Sequence, residues 1–174
     1  CLEAENGKDY PYALRHDLID QIKSLKKKFP DYESFKTADI TKIFDEKTLN
    51  ESDILITNTL ETSIYINKEG FEFEKINIPS EVQFSPVYSI NSHDFDGDGD
   101  EDVLLGGNLY DVKPEVGIYD ASYGLYLENL GNLKFKYHKD GNGFFVKGEI
   151  RDLLISDRNI FVSKNNDKME VFKF

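Results

Sequence analysis

Tryptophan is missing from this 174-residue chain, methionine and cysteine occur once each, and proline five times. The single cysteine, Cys1, excludes an internal disulfide and leaves the redox compartment open. Basic residues are scarce beside acidic ones: 21 Lys and Arg stand against 33 Asp and Glu, a net charge of −12. With a pI near 4.7, such a surface repels phosphate backbones and anionic headgroups, so nucleic acid is excluded as a partner class. No apolar run approaches the roughly 20 residues that a membrane-spanning helix needs, and no basic stretch followed by an apolar one opens the chain. What is plentiful is aromatic surface, with 13 Phe and 10 Tyr. These bury large areas per residue, so one domain-sized chain can build a core although only 39% of it is hydrophobic.

Cys1 opens the sequence, which admits two readings. A cysteine at position one is what remains when a bacterial lipoprotein signal is cleaved and the thiol lipidated, and the acidic Cys1-Leu-Glu-Ala-Glu suits export to a cell surface. A fragment boundary falling at this point is the other. On the first reading, a lipid on Cys1 is the chain's one route to a membrane.

Leu14, Leu18, Ile22, Leu25 and Phe29 recur at spacings of four, four, three and four, the stripe of an amphipathic helix that Pro30 stops. Lys26, Lys27 and Lys28 fall in its last turn, where positive charge favours the negative end of the helix dipole. A second, shorter helix is expected over 38–44, with Thr37 as its cap. After Ser52 the pattern changes to short β-rich runs separated by Gly, Asn and Asp. Strands are expected over 54–58, 63–67, 71–76, 87–92, 102–105, 124–128, 134–138, 150–155, 159–163 and 169–174. The chain therefore divides into a helical segment, residues 1–50, and a β-rich part, residues 51–174.

Ile64-Tyr-Ile-Asn-Lys-Glu-Gly-Phe-Glu-Phe aligns with Leu125-Tyr-Leu-Glu-Asn-Leu-Gly-Asn-Leu-Lys-Phe, and a weaker third copy runs over 148–174 with Asn165-Asn166-Asp167 at its turn. Copies about sixty residues apart, each a small antiparallel unit, point to propeller-type blades. Two to three blades do not close a ring of four to eight. The remaining blades would come from a longer chain or from a partner.

One motif stands out. Asp94-Phe-Asp96-Gly97-Asp98-Gly99-Asp100-Glu-Asp102 offers ligand carboxylates at positions 1, 3, 5 and 9 of a nine-residue loop, with glycines at 4 and 6 and the backbone carbonyl of Asp100 as a further oxygen. Left bare, so many like charges repel at short range. A hard divalent cation reverses that cost, and Ca²⁺, with six to eight oxygens in flexible geometry, suits the set better than Mg²⁺, which demands a small octahedron. Gly97 and Gly99 permit the tight curl around an ion. The twelfth position counted from Asp94 is Leu105 instead of the bidentate Glu of an EF-hand, which excludes that loop class.

An acidic loop of this kind, followed by a strand and a Tyr-Leu-x-Asn-x-Gly-x-x-x-Phe hairpin, resembles the FG-GAP or VCBS repeat, the calcium-bearing blade of integrin-α-type β-propellers. Tyr10-Pro-Tyr-Ala-Leu-Arg-His-Asp-Leu-Ile, Phe84-Ser-Pro-Val-Tyr, Gly106-Gly-Asn, Tyr119-Asp-Ala-Ser-Tyr-Gly and Val171-Phe-Lys-Phe are similar to the C-terminal end of large ASPIC/UnbV-related VCBS-repeat surface proteins of Bacteroidota. The resemblance covers nearly the whole chain. It implies a mainly β fold, a partial β-propeller of two to three blades behind a short N-terminal helical segment, and an extracellular or outer-membrane-surface setting. The family's metal-loop pattern maps onto Asp94, Asp96, Asp98, Asp100 and Asp102. The last copy has only Asp152 in the corresponding region, so no second calcium site is expected there.

Residues 106–123 are long for a connection between blade strands and carry Tyr110, Tyr119 and Tyr123 among Asp111, Lys113, Glu115 and Asp120. Loops on a rigid scaffold are where binding concentrates, and the three tyrosines are candidate contacts for a sugar or a protein ridge. The alternative is an ordered loop whose tyrosines pack on neighbouring blades. Catalysis has little support: Asp120-Ala-Ser122-Tyr-Gly lacks the first glycine of a nucleophile elbow, and His16, His93 and His138 show no short ligand spacing. The expectation is a calcium-binding, non-catalytic extracellular interaction module whose partner is a protein or further blades. A carbohydrate- or peptide-binding lipoprotein subunit of a bacterial outer-membrane uptake complex is the alternative.

Overall fold

A computed structural model describes residues 2–3, 7–114 and 116–174. Two compact units divide between Asn58 and Thr59. Cys1, the candidate lipidation site, and Glu115 lie outside the described residues.

In the first unit, β1 (Leu2–Glu3) pairs with β2 (Asp9–Tyr10), and five short helices follow. These are α1 (Arg15–Gln21), α2 (Leu25–Lys28), α3 (Tyr32–Phe35), α4 (Ile40–Ile43) and α5 (Glu46–Asn50). The single helix expected over 14–29 is thus two, because Ile22 leaves helical geometry at φ −125° and ψ 85°. Its apolar stripe still packs together: Leu25, Phe29, Ala38 and Ile43 are buried, with Leu18, Ile19 and Ile22 against them. Asp39, not Thr37, caps α4, its carboxylate accepting from the Lys42 N–H at 3.1 Å. Asp31 and Asp45 cap α3 and α5 in the same way. Lys26, Lys27 and Lys28 are exposed, as a solvated last turn requires.

The second unit is built from antiparallel strands. A hairpin joins β3 (Ile64–Glu69) to β4 (Glu72–Ile76) through Gly70, whose φ is 61°. A four-stranded meander follows, in the order β5 (Val87–His93), β6 (Asp102–Gly107), β7 (Leu125–Asn129) and β8 (Phe135–Tyr137). The last sheet is β9 (Ile150–Ser156), β10 (Asn159–Lys164) and β11 (Glu170–Lys173), also a meander. The protein is mainly β, and among the described residues each sheet is open at its edges. The expected strand over 54–58 is not formed; Ile54, Leu55 and Ile56 are exposed and lie in no sheet.

Central strands β6 and β7 are covered on both faces, because their apolar residues run almost without interruption. Leu104 and Tyr126, opposite each other, face Phe144, Val146, Ile150, Leu153, Ile160 and Val162. Leu105, Leu125 and Leu127 face the other way onto Val82. Each fully buried Leu or Ile contributes about 1.5–3 kcal/mol of transfer free energy. Side chains of β5 also reach β9: Asn91 Nδ2 donates to the Leu153 carbonyl at 3.0 Å, and the Leu153 N–H donates to Ser89 Oγ at 2.9 Å. Gly107 is required where β6 runs beside the start of β5, since a β-carbon there would stand 1.8 Å from the Pro86 carbonyl oxygen.

Candidate metal centre

The acidic loop, residues 94–101, joins β5 to β6 and therefore hangs between two strands fixed in the core. Its curl is set by its own carboxylates. Asp94 accepts from the Gly97 N–H at 2.7 Å and the Gly99 N–H at 3.1 Å; Asp96 accepts from the Asp98 N–H at 3.1 Å, and Asp98 from the Asp100 N–H at 2.9 Å. Gly97 and Gly99 sit at φ 84° and 96°, the left-handed region that a β-carbon disfavours.

This curl brings carboxylate oxygens of Asp94, Asp96 and Asp98 within 4.8 Å of one another, with Asp94 half-buried and the other two exposed. The donors are all hard oxygens, the set a divalent calcium-like cation takes, and carboxylate oxygens keep lone pairs beyond those spent on backbone N–H groups. The electrostatics agree with a site that gains from positive charge. At Asp96 the bond from the Asp98 N–H pulls the pKa down, but desolvation and repulsion from Asp98, Asp102 and Asp94 outweigh it, and the net shift is upward.

Asp100 and Asp102 stand outside this triad. Asp100 is exposed and points beside Gly131. Asp102 is fully buried and its carboxylate accepts three protein bonds: from the Phe95 N–H at 3.2 Å, the Tyr126 hydroxyl at 2.8 Å and the Asn129 N–H at 2.8 Å. Burial, and then the bond to Asp102, pushes the Tyr126 phenol well above its ordinary pKa. Phe95, inside the loop, drops its ring into the core edge-on to Tyr126 and Phe174, with centroids at 5.8 and 4.9 Å. His93 packs edge-on against Phe95 and Phe174, a ring contact in place of a ligand role. The loop is thus anchored from beneath by Asp102 and Phe95, and its triad is held towards solvent. A cleft of about 110 Å³ beside it is lined by Phe95, Tyr126, Phe144, Phe172 and Phe174 among others.

The tyrosines of residues 106–123 each have their own partners. Tyr119 pairs with Leu109 through backbone bonds of 2.9 and 2.8 Å and keeps its side chain exposed. Tyr123 stacks on Phe145 with centroids 4.6 Å apart. Tyr110 is half-buried, and desolvation, followed by Asp120 and Glu149, raises its pKa.

What fixes this loop was not legible in the sequence. Asn108, buried at φ 85°, accepts at Oδ1 from Ser85 Oγ (2.7 Å) and the Ser122 N–H (3.1 Å). Its Nδ2 donates to the Ser122 and Gly148 carbonyls at 2.6 and 2.9 Å. Ser122 is therefore a buried structural residue. Beside it, buried Glu149 accepts from the Tyr110 N–H at 2.7 Å and Arg151 at 2.8 Å, while Arg151 also donates to the Asn108 carbonyl and lies 4.2 Å over the Tyr88 ring. The bond from Tyr110, then that from Asn165, holds the Glu149 carboxyl below its usual range. The one sequence signal was Asn108 directly after two glycines at a strand end. His138 pairs with Glu128, and His16 with the Tyr32 hydroxyl, so each histidine has a structural partner.

No family model, curated protein or solved structure matches this chain.

Proposed function

We propose that this chain is a calcium-binding, non-catalytic segment of a β-propeller of FG-GAP/VCBS type, acting as an extracellular protein–protein interaction module. The observation that carries the reading is the Asp94, Asp96 and Asp98 triad, held on a glycine-curled loop between the first two strands of a four-stranded antiparallel meander. Face-on packing of the β9–β11 sheet against that meander supports the blade arrangement. An exposed site with three clustered carboxylates suits the weak affinities of extracellular calcium modules. The partner surface is the 106–123 loop, where Val116, Ile118, Tyr119 and Tyr123 are exposed together with Phe145.

Calcium here is structural: it neutralises the triad and holds the curl of the loop between β5 and β6, so that binding free energy adds to folding free energy. At calcium ten times above its dissociation constant the melting temperature rises by a few degrees. Asp96→Ala together with Asp98→Ala abolishes that rise. A calcium-induced shift that survives both substitutions overturns the assignment.

A further inference from the structure

Between α5 and β3 the chain crosses a stretch that neither unit ties down. Ser52 is the last residue bonded to α5, its N–H donating to the Leu49 carbonyl at 3.2 Å. On the other side Glu61 pairs with Lys75, and Thr62 exchanges two bonds with the Gln83 side chain, at 2.9 and 2.8 Å. Residues 53–60 belong to no helix or strand, and no hydrogen bond, ion pair or ring contact of a described residue reaches them. They are nonetheless apolar: Ile54 is 80% exposed, Leu55 94%, Ile56 75% and Leu60 92%. Neither core includes them. Leu25, Phe29, Ala38 and Ile43 pack in the first unit, and Leu104, Tyr126, Val146 and Leu153 in the second.

We propose that residues 53–60 are a processing site, at which an endopeptidase with an aliphatic specificity pocket cuts the chain and releases the β-rich unit as a folded piece. A protease takes its substrate as an extended chain, and a segment free of internal bonds reaches that shape without unfolding anything. Its exposed Leu and Ile side chains then fill the enzyme's pockets and leave water. A cation-specific protease is excluded, since no Lys or Arg occurs between Lys47 and Lys68. Other exposed apolar residues lack this freedom. Phe71, 99% exposed, sits in the turn of the β3–β4 hairpin between paired strands. Val116 and Ile118 lie in a loop held by the bond from the Val116 N–H to the Lys113 carbonyl, at 2.9 Å, and by the Leu109–Tyr119 bridge. The step is hydrolysis: the scissile C–N bond breaks, and water supplies a hydroxyl to the carbonyl carbon and a proton to the leaving nitrogen. Because the buried residues of each core lie on one side of the cut in sequence, each core stays whole. The inference goes beyond the calcium and propeller readings and depends on neither.

Limited digestion of the full chain with pancreatic elastase, followed by intact mass, tests it. The first cut is expected within 54–60. The fragment running from that cut to Phe174 is expected to resist further digestion and to keep the far-ultraviolet circular dichroism of a β protein. Trypsin is expected to leave residues 48–67 in one piece. Ile54→Asp, Leu55→Asp, Ile56→Asp and Leu60→Asp together remove the groups that fill an aliphatic pocket. These side chains are exposed and belong to neither core, so the combined variant folds as the parent does. Its early cut by elastase is expected to slow by about tenfold or more, the discrimination an apolar pocket achieves. A first cut at Phe71 or within 112–118, an early cut that persists at the parent rate in the combined variant, or a β-rich fragment that unfolds on release overturns the proposal.

Discussion

Replacing Asp102 by alanine tests what anchors the acidic loop. The substitution strands the buried backbone N–H of Asn129, the part-buried N–H of Phe95 and the Tyr126 hydroxyl, all of which now donate to one carboxylate at 0% exposure. A buried donor left without an acceptor costs about 1–3 kcal/mol. The hydroxyl can rotate, but the two N–H groups are fixed by the strands, so the expected loss is about 4 kcal/mol. With a urea slope of about 2 kcal/mol per molar, the unfolding midpoint of the β-rich unit falls by about 2 M. The assay is urea unfolding followed by far-ultraviolet circular dichroism in EGTA, so that no metal contributes. Tyr126→Phe alone removes one bond to a charged acceptor and costs about 1.5–3 kcal/mol. In the Asp102→Ala background it costs close to nothing, because the partner is already gone. A midpoint change under about 0.5 M for Asp102→Ala, by the same slope, or full additivity of the two substitutions, refutes the reasoning.

Two other outcomes follow from the same packing. Gly107→Ala drives a methyl group onto the Pro86 carbonyl, which no side-chain adjustment relieves, and is expected to leave little folded protein in a solubility and circular-dichroism assay; wild-type stability would contradict it. The upward-shifted Tyr126 phenol makes stability fall at high pH. The unfolded phenol ionises near pH 10 while the buried one stays neutral, so its contribution is complete below about pH 10 and is lost as pH climbs above it. Tyr126→Phe is expected to flatten that alkaline limb, which pH-dependent urea midpoints check.

The strands were readable because alternation and Gly, Asn and Asp turns are local signals, and β3 to β11 lie where those signals put them. Helix boundaries were less readable. The stripe from Leu18 to Phe29 identified the right core residues, but the break at Ile22 depends on packing. Asp31 and Asp45, each three residues before a Ser or Thr whose N–H they accept, were cap signals in plain view for α3 and α5. At 54–58 a strand-like sequence stands without a strand, because pairing is a property of two segments and not of one.

In the metal loop, the spacing placed Asp94, Asp96 and Asp98 together, since Asx-type bonds between neighbours curl it. Asp102 has the same residue type and a regular spacing, yet its surroundings are Tyr126 and Asn129, 24 and 27 residues away. No local pattern encodes such a burial. The same holds for Asn108, Glu149 and Arg151, which meet only once β6 and β9 are side by side.

Calcium titration of the purified chain by calorimetry tests the central claim most directly. One calcium per chain is expected, with magnesium binding far more weakly because an exposed, carboxylate-only triad does not offer the rigid octahedron that ion demands. A chain that takes up no calcium, or binds magnesium equally well, contradicts the account.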